Sequence, residues 1–72
     1  MSDPAEFEIH VNGRPRTVAP GSTVATLLET LELDPRTLAV ERNLDLVPRG
    51  QHAATLLTAG DRLEVVTLVG GG

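Results

Sequence analysis

Side chains that commonly do chemistry are scarce in this sequence. It has no Cys and no Lys, so a thiolate nucleophile, a disulfide, a thiolate metal site and a Schiff-base amine are all excluded. His10 and His52 lie far apart without metal-ligand spacing, and their simplest reading is as surface residues. Ser2 and Ser22 are the only serines, and Ser22 is better explained as a helix cap. No Gly-rich phosphate loop opens a helix, and no His-Glu-x-x-His occurs. Glu6 and Glu8 stand two apart on a predicted strand, hence on one face. Such a pair can in principle do acid–base work, but a solvated edge is the simpler reading.

What remains is the C-terminal run Gly70-Gly71-Gly72. Three glycines after a β-prone segment are odd on folding grounds, because each loses more backbone entropy on ordering than any other residue. A frayed end would account for them. The functional alternative uses the same property: an extended tail without side chains can thread a narrow channel and present the Gly72 carboxylate to another enzyme's active site. A β-branched residue there would obstruct entry.

Seventy-two residues make one domain, near the lower limit for folding without disulfides or metals. Phe7 is the only aromatic residue, so the core must be built from aliphatic side chains. The formal net charge is −4 and all six basic residues are scattered arginines, which argues against nucleic acid as a partner. An acidic surface suits solubility and a basic protein partner equally. No segment reaches the ~20 apolar residues that span a bilayer, and the acidic start Met1–Glu6 lacks the regions of a signal peptide. Cytoplasm is the default location, and residues 1–6 are expected to be disordered.

The elements that would position the tail follow from periodicity. Phe7-Glu8-Ile9-His10-Val11 alternates as a half-buried strand, and Asn12-Gly13 suits a type I′ hairpin turn. The return strand runs from about Arg14 to Ala19, and Pro15 fits only if its missing N–H points off the sheet. Ser22 or Thr23 can cap a helix whose apolar face is Val24, Leu27, Leu28 and Leu31; it should stop before Asp34-Pro35. Leu38 to Arg42 reads as a third strand, and Leu46-Val47 as a short fourth. Gln51 to Thr58 reads as an irregular turn or short helix. Leu63 to Val69 is a β-prone last strand leading into the tail.

One helix across a mixed sheet of four or five strands buries every apolar face, which makes the domain α+β and a β-grasp. The expected core is Phe7, Ile9, Val11, Val18, Val24, Leu27, Leu28, Leu31, Leu63 and Val65. Alternation then turns Glu64, Val66 and Leu68 to the opposite face. There they form either a partner-binding patch or a surface covered by the chain's own loop near Leu56–Leu57.

The ordered pattern resembles the ThiS family of thiamine-biosynthesis sulfur carriers, ubiquitin-like β-grasp proteins. Its parts are Thr23-Val24-x-x-Leu27-Leu28, Leu38-Ala39-Val40-Glu41-Arg42-Asn43, Val47-Pro48-Arg49, Gly60-Asp61-Arg62-Leu63-Glu64-Val65-Val66 and a terminal Gly-Gly. Gly70 departs from the family, which often carries Ala or another small residue there. The resemblance implies that the chain is a carrier rather than an enzyme and binds no cofactor itself. A ThiF-type, E1-like enzyme would use ATP and Mg to adenylate Gly72, with Gly70 and Gly71 as the threading tail. A sulfur donor would convert the adenylate to a thiocarboxylate, and a ThiG-type thiazole synthase would accept the sulfur. The carrier itself is expected to be monomeric. The alternatives are a carrier for molybdopterin synthesis like MoaD, a ubiquitin-like modifier of lysines, and a binding module whose tail is accidental.

Overall fold

The protein is described here from a computed structural model over residues 4–68. The tail residues Gly70, Gly71 and Gly72 lie outside the described residues, as does the start of the segment 1–6.

The chain forms β1 (Phe7–Val11), β2 (Arg14–Val18), α1 (Val24–Thr30), β3 (Leu38–Arg42), β4 (Asp45–Val47) and β5 (Arg62–Thr67), with 3-10 turns at Pro35–Thr37 and Arg49–Ala54. The five strands make one sheet in the order β2-β1-β5-β3-β4. The first and last strands, β1 and β5, lie side by side and parallel at its centre, and the other neighbours are antiparallel.

Local chemistry explains the elements. Asn12 and Gly13 both take positive φ, 52° and 82°, the type I′ geometry that their residue types favour. Pro15 lies opposite His10, whose own N–H bonds across to Asp61 on the other side. The position facing Pro15 therefore needs no donor, and the proline sits harmlessly on the edge strand. Of the two candidate caps, Thr23 starts α1. Its Oγ1 accepts from the Thr26 N–H at 3.2 Å while Thr26 Oγ1 accepts from the Thr23 N–H at 2.8 Å, a reciprocal capping box with threonine in the usual Glu position.

The helix ends earlier than Asp34-Pro35 requires. Glu32 takes a left-handed φ of 58°, and Leu33 and Glu32 donate back to the carbonyls of Leu28 and Glu29. That is a Schellman cap with Glu where Gly is usual.

The core lies between α1 and one sheet face. Ile9, Val11, Val24, Leu27, Leu28 and Leu63 are buried as expected, and Phe7, Val18, Leu31 and Val65 pack against them partly covered. Leu38, Val40, Val47 and Leu57 complete the core. The first three extend the buried face across β3 and β4, because Val40 pairs with both Val47 and Val65. One expectation fails. His52 is only 5% exposed, and its Nε2–H donates to the Val47 carbonyl at 3.2 Å. The 3-10 turn Arg49–Ala54 carries the ring under the end of β4, where it completes packing instead of facing solvent. His10 is partly covered, and its Nδ1 is buried with no hydrogen-bond partner among the described residues.

Candidate functional site

The strand that precedes the glycine run is the central strand of the sheet. β5 has β1 on one side and β3 on the other, so its exit direction is set by two partners. On the β3 side, pairing continues to Leu38 opposite Thr67, and the Leu68 N–H donates to the Thr37 carbonyl at 2.8 Å. On the β1 side, the His10 and Asn12 N–H groups donate to the carbonyls of Asp61 and Leu63. The Asn12 amide then adds two more bonds: its Oδ1 accepts from the Val65 N–H at 2.7 Å, and its Nδ2 donates to the Val65 carbonyl at 3.2 Å.

The start of β5 is fixed by a polar cluster around Asp61, which is buried. Its carboxylate accepts from the Thr58 N–H at 2.9 Å, the Thr58 hydroxyl at 3.0 Å and the Asn43 Nδ2 at 3.1 Å. Arg42 lies 3.6 Å away. Burial pushes the carboxyl pKa up, but the Thr58 and Asn43 hydrogen bonds and the Arg42 charge outweigh it and hold the group below its usual value. Asn43 Oδ1 in turn accepts from the Arg62 N–H at 2.9 Å. The Gly60-Asp61 pair is thus a structural lock at the root of the last strand.

On the sheet face away from α1, the expected docking residues stand in the open. Val66 is 55% and Leu68 53% exposed, so the loop at Leu56–Leu57 does not cover them. Leu57 turns inward instead and joins the core. Ala39, directly across from Val66, extends this apolar strip onto β3. Glu64 is exposed and pairs directly with Glu41, an unfavourable like-charge juxtaposition in isolation. Glu8 and His10 share the same face, 3.9 Å apart; Glu8 is exposed, but β1 has β2 and β5 as neighbours, so it stands on a solvated sheet face and not on an edge. Among the described residues no cluster of His, Cys, Asp or Glu could hold a metal ion, and no helix is long and apolar enough to cross a membrane.

A helix lying across a five-stranded mixed sheet, with parallel first and last strands side by side and an apolar strip at the end of β5, defines a ubiquitin-like β-grasp domain. The ThiS family profile matches residues 9–72. The chain belongs to the ThiS family.

Solved and curated relatives agree with this. The crystal structure of the thiamine biosynthesis protein ThiS from Geobacter metallireducens superposes with a TM-score of 0.79 at 33% identity, covering 92% of this chain and all of that one. A thiazole synthase from Paramagnetospirillum magneticum is 44% identical over 66 residues, 92% of this chain. The chain spans only 20% of that relative's length. The uncharacterized protein ycf40 of Pyropia yezoensis is 35% identical over 68 residues, 94% of this chain and 96% of its own length.

Proposed function

We propose that the Gly72 carboxylate is the working group of this carrier. The carboxylate attacks the α-phosphorus of ATP in the site of a ThiF-type, E1-like enzyme, expelling pyrophosphate and leaving an acyl adenylate. A persulfide displaces AMP from that adenylate. That step forms an acyl C–S bond through the persulfide's outer sulfur; a partner thiol then cleaves the persulfide's own S–S bond, forming a disulfide with the donor sulfur and releasing the thiocarboxylate. A ThiG-type thiazole synthase then takes the sulfur. The similarity of this chain to part of curated thiazole synthases supports that acceptor over molybdopterin.

In this scheme the chain is the substrate of the adenylating enzyme. ATP, Mg and sulfur belong to its partners, and Val66, Leu68 and Glu64 form the face on which those partners dock. The observation that carries the reading is the apolar strip of Val66 and Leu68, open to solvent on the strand that runs into the tail. Exposed apolar residues grouped beside a functional end mark a contact surface.

The test is carrier-dependent ATP–pyrophosphate exchange by a ThiF-type enzyme. The full chain should support exchange, and deletion of Gly72, which shortens the reach by roughly 3.5 Å, should abolish it. Exchange that never exceeds the enzyme-alone background would overturn the proposal.

A further inference from the structure

Asn12 does more than turn the first hairpin. On a parallel ladder the bonds from His10 and Asn12 to the Asp61 and Leu63 carbonyls call for a next acceptor, the Asn12 carbonyl, facing the Val65 N–H. The backbone cannot supply it, because Asn12 has already swung to φ 52° to enter the turn. Its side-chain Oδ1 takes that place at 2.7 Å, and Nδ2 supplies the following rung to the Val65 carbonyl at 3.2 Å. One amide thus replaces two rungs of a strand that has ended. Past the bond from the Asn12 N–H to the Leu63 carbonyl, this amide is what hydrogen-bonds β5 from the β1 side among the described residues. Val65 stands three residues before Leu68, where the described chain ends.

We infer that Asn12 is a positioning residue for acyl transfer: its amide holds the β1-side edge of β5 in place at Val65, and delivery of the C-terminal carboxylate depends on the placement of that strand. The inference rests on the carrier reading above. It assigns Asn12 no contact with ATP or sulfur, and the effect runs through the Val65 backbone alone. Acyl transfer tolerates little misplacement, since errors near 1 Å can cost on the order of a hundredfold in rate. Val66 and Leu68 are held from the β3 side as well, Val66 opposite Ala39 and the Leu68 N–H on the Thr37 carbonyl, so docking through them should survive loss of the clamp.

The discriminating variant is Asn12→Gly, which accepts the positive φ of the turn and removes only the amide. With a ThiF-type enzyme saturated in carrier, the adenylation rate should fall on the order of tenfold. The dissociation constant for the docked pair should stay within about twofold, a fall in rate without a change in binding that a general loss of folding would not produce. Asn12→Asp gives an independent arm: it retains an acceptor for the Val65 N–H but sets an oxygen against the Val65 carbonyl, and should show a rate between the other two.

An unchanged saturated rate in a folded Asn12→Gly chain would overturn the positioning role and leave the carrier reading intact. Unfolding of both variants would also overturn it, showing Asn12 to be structural only. If the unaltered chain is never adenylated, the carrier reading falls first and takes this inference with it.

Discussion

Removing the Asp61 carboxylate should destabilise the domain more than any other single polar change at the root of β5. Asp61→Ala deletes three hydrogen bonds, at 2.9, 3.0 and 3.1 Å, and a 3.6 Å ion-pair contact with Arg42. Hydrogen bonds to a charged group contribute about 1.5–3 kcal/mol each. Bonds that converge on one carboxylate are not additive, and its burial offsets part of the gain. The expected net loss is about 2–4 kcal/mol, against about 4–11 kcal/mol of total stability for a chain of this length.

The pH dependence separates the charge from the shape. The folded pKa of Asp61 is depressed, so its contribution is complete above the unfolded value of about 3.9 and disappears as pH falls through the lower folded value. Asp61→Asn keeps the shape without the charge. Urea unfolding of wild type, Asp61→Ala and Asp61→Asn, followed by far-UV circular dichroism because the chain has no Trp or Tyr, measures both effects. The gap between wild type and Asp61→Asn should narrow below a pH of about 4. An Asp61→Ala midpoint equal to wild type, or a gap that stays constant to the lowest pH, would refute the reasoning.

Leu27 is buried between α1 and the sheet, and Leu27→Ala should cost about 2–5 kcal/mol, read as a lower denaturant midpoint. Leu44 takes a φ of 75° at 89% exposure, so Leu44→Gly should raise the stability by about 1 kcal/mol through relief of backbone strain; a lower melting temperature would contradict this. Val66→Asp should weaken binding to the adenylating enzyme at a stability cost below about 1 kcal/mol. Unfolding of the isolated Val66→Asp variant would instead show Val66 to be part of the core.

Periodicity makes most of this fold legible in the sequence. The i, i+3, i+4, i+7 face of α1 and the alternation of β1 and β5 each name the residues that must meet, and the positive-φ pair Asn12-Gly13 fixes the hairpin register. His52 is misread because Gln51 to Thr58 has no clear period, and a 3-10 turn can bury one ring without an apolar pattern to announce it. Leu38, Val40 and Val47 are visible as strand residues, but their inward direction becomes fixed only when β3 pairs with β5.

The outward direction of Glu64, Val66 and Leu68, the proposed docking residues, follows from alternation once Leu63 is inward. The roles of Asn12 and Asp61 in holding β5 are not legible, because both act across more than fifteen residues of intervening chain or through a turn whose local chemistry already accounts for the residue type. A hint was available for Asn12: in a type I′ turn its side chain stands beside the neighbouring strand, free to replace a missing rung.

The central claim is that Gly72 carries the sulfur, and intact-protein mass spectrometry tests it most directly. The full chain is incubated with a ThiF-type enzyme, ATP, Mg and a persulfide donor, alongside chains lacking Gly72 or carrying Gly71→Val. The full chain should gain the oxygen-to-sulfur mass difference, localised by fragmentation to Gly72, while both variants stay folded and unmodified. A full chain that never gains sulfur, or gains it at any other residue, would contradict the account.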